Sequence, residues 1–389
     1  MQVHELALQR NKYKHLTDDE WRWLLQQVEG RERTADKLPS FAAIEDWWYP
    51  VRLSCEQCSS EMTARYKASL IAGGQKRMAD LTGGYGVDTF FLSELFEHTD
   101  YVEQNAELCR IAEHNKGEWQ KVKGECSIHV HNTSAEDFLA SAGTCDLLFI
   151  DPARRDSYGG KVFRLEDCTP NVVELLPTLL THLTPEGSLM LKLSPMLDIT
   201  QAVKELSASN IQWSVYVVAV KNEVKEVLLL GERQKDERAN MITAIDLAEP
   251  EQAFVFSREE ERECLLINGD ASLNGAYLYE PNAAILKAGA YKLVVQRFGL
   301  QKLDVNTHLY ASNTLVENFP GRVWQLMDER TKGRKDECMQ ANVLTRNYPL
   351  TPEQLKKKMR LKDGGDYYLI GARKNGKPTL FWAQRVEKS

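Results

Sequence analysis

An α/β fold built on a doubly wound parallel sheet is predicted by three observations. Strand-like and helix-like segments alternate repeatedly from Lys76 to about Arg233. The last two strand-like runs of that stretch are separated only by Val220-Lys-Asn-Glu223, too short for a helical crossover, so they form a hairpin with one antiparallel strand. The first strand runs into Ala79-Asp-Leu-Thr-Gly-Gly-Tyr-Gly-Val-Asp88, a glycine turn that leads directly into a helix. Glycine permits positive φ and close approach to the main chain, so a strand, such a turn and a helix start form a nucleotide cradle with N–H groups facing a ligand.

The strands expected in order are Arg77–Leu81, Asp100–Gln104, Ser127–Asn132, Asp146–Asp151, Gly187–Leu193, Trp213–Ala219 and Val224–Leu230. Helical spacing places Val87–Glu97, Ala106–Glu118, Ala135–Ala140, Thr169–Leu183 and Asp198–Ser209 between the first six. The 75 residues before them read as helical. Thr17-Asp-Asp-Glu20 resembles a capping box ahead of Trp21, and Glu56–Ala72 reads as one helix closed by Gly73-Gly74. Trp47 and Trp48 are expected to pack this layer onto its neighbour.

Beyond Arg233 the pattern changes. Met241–Ile245 and Phe254–Phe256 read as strands, and Glu280-Pro-Asn-Ala-Ala-Ile-Leu-Lys-Ala-Gly289 opens a helix with Pro281 in its first turn. After Phe319, strand-like runs at Val323–Leu326, Ala341–Thr345, Tyr367–Gly371 and Thr379–Gln384 surround a helix, Thr351–Arg360, capped by Thr351 with Pro352 at its first position. The expected organisation is therefore an N-terminal helical region (1–75), the α/β sheet domain (76–233), a connecting α+β region (234–318) and a basic α+β module (319–389).

Charge is unevenly distributed. From Phe319 to Ser389 there are 16 Lys/Arg against 8 Asp/Glu, so within an overall net charge of −7 the first 318 residues carry −15. A basic tail module on an acidic body points to nucleic acid or to a solvated basic face. Of the eight cysteines only Cys55 and Cys58 are close in sequence, which reads as reduced thiols with no metal site. A polar N-terminus and the lack of an apolar run near ~20 residues fit a cytoplasmic protein with no membrane contact.

In an open α/β sheet, ligands bind at the carboxyl ends of the strands near the topological switch point. Four sequence features fall at successive strand ends: the turn Thr82–Gly86, Glu103, Asn132-Thr-Ser-Ala-Glu-Asp137, and Asp151-Pro-Ala-Arg-Arg155. An acidic side chain at Glu103 can accept hydrogen bonds from both hydroxyls of a ribose. Each feature has a plainer reading as a strand end, cap or turn; their order is what carries weight.

Asp80-x-Thr-Gly-Gly-x-Gly, Val102-Glu103, Ser134-Ala-Glu-Asp137 and Asp146-Leu-Leu-Phe-Ile-Asp151-Pro152, with the terminal hairpin, resemble a class I S-adenosylmethionine-dependent methyltransferase, whose Rossmann-like sheet has an antiparallel seventh strand. More narrowly, Asp151-Pro-Ala-Arg-Arg-Asp156, Tyr279-Glu-Pro-Asn-Ala-Ala-Ile-Leu-Lys287 and Arg346-Asn-Tyr-Pro-Leu350 resemble a bacterial group of methyltransferases with a small ferredoxin-like segment and a C-terminal THUMP-like domain. The resemblance implies S-adenosylmethionine as cofactor. Thr82, Gly83, Gly84 and Gly86 would hold its methionine end, Asp80 or Asp88 its amino group and Glu103 its ribose, Ser134, Ala135, Glu136 and Asp137 would lie near its adenine, and Gln104 also belongs to the cofactor-binding set. The reacting group would lie by Asp151, Pro152, Arg154 and Arg155, with Lys192 reaching in from the fifth strand end.

The resemblance also implies RNA as a partner for the basic module, because THUMP domains accompany RNA-modifying enzymes. The strand-four motif lacks the second proline and aromatic residue of many amino-group methyltransferases, and no cysteine follows as in uracil-C5 enzymes, so the acceptor atom is open. Three functions remain at this point: methylation of an rRNA or tRNA base, a non-catalytic scaffold, and methylation of a protein or small molecule.

Overall fold

The computed structural model describes residues 2–124, 127–154, 164–207, 211–233, 240–265, 277–327 and 340–387. Their contacts divide the chain into two units, Met1–Ser214 with Leu228–Ala239, and Val215–Val227 with Asn240–Ser389.

Seven strands carry the predicted alternation: β1 (Gln75–Asp80), β2 (Phe96–Glu103), β3 (Ser127–Asn132), β4 (Cys145–Ile150), β5 (Leu183–Leu193), β6 (Gln212–Val220) and β7 (Glu223–Glu232). In the first unit they lie in the order β3-β2-β1-β4-β5-β7. β1 to β5 pair in parallel throughout. The chain moves outward from β1 through β2 to β3 and then returns to the other side of β1 at β4. The switch point therefore lies between the carboxyl ends of β1 and β4.

The β6–β7 hairpin turns through Lys221 and Asn222, whose φ values are +51° and +62°. Two consecutive left-handed residues make the turn whose twist matches flanking antiparallel strands. The carboxylate of Asp246 accepts both turn amides at 2.9 and 2.5 Å, which holds two non-glycine residues in that conformation.

Before β1, among the described residues, come five α-helices: α1 (Val3–Ala7), α2 (Asp18–Thr34), α3 (Pro39–Ala42), α4 (Arg52–Gln57) and α5 (Glu61–Ser69). The Thr17–Glu20 capping box forms at α2. The single helix expected over Glu56–Ala72 is instead α4 and α5, because Ser60 accepts the Thr63 amide and restarts the helix as an N-cap. This layer packs through aromatic rings onto α6 (Val87–Ser93) and α7 (Ala106–Lys123). Phe41 and Trp47 meet at 4.2 Å between centroids, and both reach Trp119, which is fully buried. Such pairs add about 0.5–1.5 kcal/mol each beyond the area they bury. Trp47 also donates its indole N–H to the Tyr85 hydroxyl at 3.0 Å.

Two further helices, α8 (Ala135–Leu139) and α9 (Val172–Thr181), and then α10 (Ile199–Glu205) complete the first unit. α6 stops short of the expected Glu97 because β2 already begins at Phe96. α9 starts after the expected Thr169, which pairs instead with Ala153 in a two-residue antiparallel ribbon. The Thr169–Pro170 peptide bond is cis.

In the second unit, β8 (Met241–Asp246) pairs in parallel with β6, and β9 (Phe254–Ser257) pairs antiparallel with β8. Helix α11 (Arg258–Glu263) follows. A separate sheet is made of β10 (Tyr277–Pro281), β11 (Gln301–Asp304), β12 (Thr307–Ser312), β13 (Gly321–Leu326), β14 (Asn342–Arg346), β15 (Tyr367–Lys374) and β16 (Lys377–Arg385), in the order β11-β12-β10-β13-β16-β15-β14. Its helices are α12 (Ala283–Ala288), α13 (Tyr291–Phe298) and α14 (Pro352–Met359).

Pro281 closes β10 rather than opening the helix as expected. Asn282 caps α12 by accepting the Ile285 amide at 3.0 Å. The sheet curls strongly: Arg346 at the end of β14 bonds to Glu280 on β10, and Asn347 reaches Thr307 on β12 at 3.4 Å. α14 docks through buried Leu355 where β15 has Gly371. A Cβ there would come within 3.1 Å of Leu355 and 3.0 Å of Tyr348.

Candidate active site

At the carboxyl ends of β1, β2 and β4 the first unit encloses a cavity of about 390 Å3. The turn after β1 forms one wall. Asp80 accepts the Thr82 amide at 3.0 Å and the Thr89 hydroxyl at 2.5 Å. The Thr82 hydroxyl accepts the Asp151 amide at 2.7 Å, which ties the end of β1 to the end of β4. Gly83 lies so close to Tyr101 that a Cβ would fall 2.3 Å from the ring, and Gly84 and Gly86 have φ of +56° and +84°. Tyr101 donates its hydroxyl to the Gly84 carbonyl, and Glu103 accepts the Gly84 amide at 2.9 Å.

The expectation of turn amides directed at a ligand therefore does not hold here. The amides of Thr82, Gly83, Gly84 and Gly86 all donate within the protein, to Asp80, the Val102 carbonyl, Glu103 and the Gly83 carbonyl in turn. At Gly84 the turn offers the cavity main chain without a side chain, whereas the bare Gly83 makes room for the Tyr101 ring.

Glu103 stands at the end of β2. Its second oxygen accepts the Asn105 amide at 2.7 Å. A carboxylate has about four acceptor positions, so two amides leave room for two more donors.

Asp80 is buried, and burial pushes its carboxyl up to about 7 against the hydrogen bonds from Thr89 and Thr82, with the charges of Asp88 and Asp151 adding to the rise. Asp88 is buried too, yet its carboxyl lies below the ordinary aspartate value. Burial pushes it up, but Lys67, Lys192 and the Ser59 hydroxyl outweigh that. Lys67 Nζ lies 3.1 Å from Asp88 Oδ1, and Lys192 Nζ lies 3.3 Å from Asp88 Oδ2 and 2.5 Å from Asp151 Oδ2.

Of the residues expected from sequence, Asp80, Thr82, Gly83, Gly84, Gly86, Asp88, Glu103, Gln104, Ala135, Asp151 and Lys192 line this one cavity. Four expected positions do not. Ser134 caps α8 by accepting the Asp137 amide, Glu136 and Asp137 are exposed on α8, and Pro152 lies outside the lining. The Arg154 backbone pairs with Cys168 in the short ribbon. Its side chain, and all of Arg155, lie outside the described residues.

Sequence reading misses the part of the wall that comes from the N-terminal layer: Ser54, Gln57, Cys58 and Ser59, with Lys67 behind them. The one available signal is Thr63, Ala64 and Lys67 on a single face of α5, where the lysine reads as a surface residue. Asp46, His114 and Glu118 also converge, but the His114 Nε2 bonds the Asp46 carbonyl and Glu118 pairs with Lys121, and no further group completes a metal site among the described residues.

The chain is similar to several known proteins. A family model described as a ferredoxin-like domain matches residues 277–320, and one described as THUMP domain-like matches residues 324–385. A crystal structure described as a "putative methyltransferase" from Porphyromonas gingivalis W83 is 32% identical, with a TM-score of 0.83, over 96% of this chain and 92% of that one. An uncharacterised S-adenosylmethionine-dependent methyltransferase of Mycobacterium tuberculosis, found in strains CDC 1551 and H37Rv, is 22% identical over 87% of this chain and 89% of its own length.

The fold and site define a Rossmann-like methyltransferase. The chain belongs to the family of S-adenosylmethionine-dependent methyltransferases that carry ferredoxin-like and THUMP-like C-terminal segments, and S-adenosylmethionine is its cofactor. The cavity suits that group. Its volume falls in the range of about 300–1,000 Å3 typical of small-molecule sites, main chain without a side chain lines it at Gly84, and Glu103 keeps acceptor positions beyond the two amides it holds.

Proposed function

We propose that this methyltransferase acts on RNA, on a base of rRNA or tRNA, through its basic C-terminal segment. The observation that carries the reading is the excess of 16 Lys/Arg over 8 Asp/Glu from Phe319 onward. It is concentrated where the THUMP domain-like match lies, with Lys357, Lys358, Arg360, Lys362 and Lys377 exposed on or near α14 and the β15–β16 turn. Such a cationic surface binds a phosphate backbone and releases counterions. No helix among the described residues is long and apolar enough to cross a membrane.

In the cavity, Glu103 accepts the ribose hydroxyls and the Gly83–Gly84 main chain lets the methionine end approach. The cofactor supplies an activated methyl group on a sulfonium, so the protein's work is proximity and orientation. Asp151, ion-paired to Lys192, is the acceptor-side carboxylate, placed to orient an acceptor N–H or take its proton at hydrogen-bond distance.

Tritiated S-adenosylmethionine incubated with the protein and total RNA, protein and metabolite extracts tests the reading. Label is expected in RNA, with transfer that weakens as salt rises. Label confined to protein or to small molecules contradicts it.

A further inference from the structure

Four charged side chains stand in line from the interior of the first unit to the cavity. Lys67 on α5 is completely buried, Asp88 at the start of α6 is 9% exposed, Lys192 at the end of β5 is 13% exposed, and Asp151 at the end of β4 is 40% exposed. The signs alternate, and the successive gaps are 3.1, 3.3 and 2.5 Å. A completely buried ammonium is costly unless a counter-charge is fixed beside it. Asp88 provides that counter-charge, but it is shared: its Oδ2 also accepts the Ser59 hydroxyl at 2.7 Å and faces Lys192.

We infer that Lys67 is a positioning residue for methyl transfer, acting through Asp88 and Lys192 to hold the Asp151 carboxylate in place. The inference rests on the reading of Asp151 as the acceptor-side carboxylate. Lys67 and Lys192 compete for Asp88 through its two carboxylate oxygens. With Lys67 present, Asp88 is already balanced and Lys192 Nζ sits nearer to Asp151 than to Asp88. Without Lys67, the unbalanced aspartate draws the Lys192 ammonium inward, because attraction between charges grows as the surroundings become less polar. Asp151 then loses its anchor. The N-terminal helical layer is on this account part of the active site: α5 supplies Lys67, and the residues before it supply Ser59 and one wall of the cavity.

Four full-length variants test this: Lys67→Met, Lys67→Arg, Lys67→Met with Asp88→Asn, and Asp151→Ala. The transfer rate of tritiated methyl is read into whichever extract fraction accepts label, at saturating cofactor, beside calorimetric titration with S-adenosylhomocysteine and a thermal melt to show that each variant is folded. Lys67→Met is expected to lower the maximal rate about tenfold or more, while its S-adenosylhomocysteine affinity stays within about threefold. Lys67→Arg, which restores the charge, recovers most of the rate. The double variant, which removes the unbalanced aspartate together with the lysine, is faster than Lys67→Met alone, a non-additivity that a packing role does not produce.

The inference is overturned if folded Lys67→Met transfers methyl at the native rate, or if the double variant is as slow as the single one and arginine does not rescue. Asp151→Ala separates the two readings. A native rate in that variant removes the acceptor-side role and the inference with it, whereas a slow Asp151→Ala beside a native Lys67→Met removes the inference alone.

Discussion

The proton on Asp80 links folding to pH in a way that one substitution exposes. Its carboxyl titrates at about 7 in the folded protein, raised from 3.8 by burial. Between about pH 4 and 7 the folded chain holds a proton that the unfolded chain has released. The stabilisation from this group is therefore complete below that window and is lost as pH rises through it. Asp88 has the opposite sign, with a lowered carboxyl, so its contribution is lost only as pH falls below the ordinary aspartate range. Asp80→Asn keeps an oxygen for the Thr82 amide and removes the titration. Melting temperatures from about pH 5 to 8 should fall more steeply for the native protein than for this variant, with at most about 4 kcal/mol at stake. Parallel pH profiles contradict the assignment.

At this scale Thr82, Gly84, Glu103 and Asp151 are legible because each sits at a strand end in a fixed order. Lys67 is not, because one lysine on a helix reads as solvated until its neighbours in space are known. Ser134, Glu136 and Asp137 show the converse: a polar cluster at the right point in the chain, two of whose side chains are exposed to solvent while the third caps a helix.

Among the elements, the parallel strands and their hairpin are readable from apolar runs and from the short link Val220–Glu223 between β6 and β7. The second sheet is harder. β10, β11, β12 and α13 carry too little periodicity to be told apart, and Glu280-Pro281 reads as a helix start when it is in fact a strand end. The two matched segments share one sheet through the antiparallel β10–β13 pairing, and a side-chain contact between distant motifs adds to it. Glu280 is buried on β10, with Arg346 of β14 bonded to it and Arg322 of β13 at 3.7 Å. Neither arginine is fully buried, so removing the carboxylate exposes two like charges to each other at a cost of about 1–3 kcal/mol. In Glu280→Ala, hydrogen exchange at the amides of β10 and β14 should accelerate about tenfold while β1 is unchanged. Unchanged exchange in β10 and β14 contradicts the role of this contact in holding the curled sheet.

On the scale of the whole molecule, an acidic body and a basic C-terminal segment coexist in one chain, −15 against +8. The body carries the cofactor cavity, and the basic segment carries the argument for RNA. We propose that S-adenosylmethionine binds in the cavity at the carboxyl ends of β1 and β2, against the Gly83–Gly84 main chain and Glu103. Isothermal titration of S-adenosylmethionine into the native protein, Glu103→Ala and Asp137→Ala tests it most directly. One site per native chain is expected, with an affinity at least about tenfold weaker in Glu103→Ala because a charged hydrogen-bond acceptor is lost, and no change in Asp137→Ala, whose side chain is exposed on α8. No binding by the native protein, or equal binding by Glu103→Ala, would contradict it.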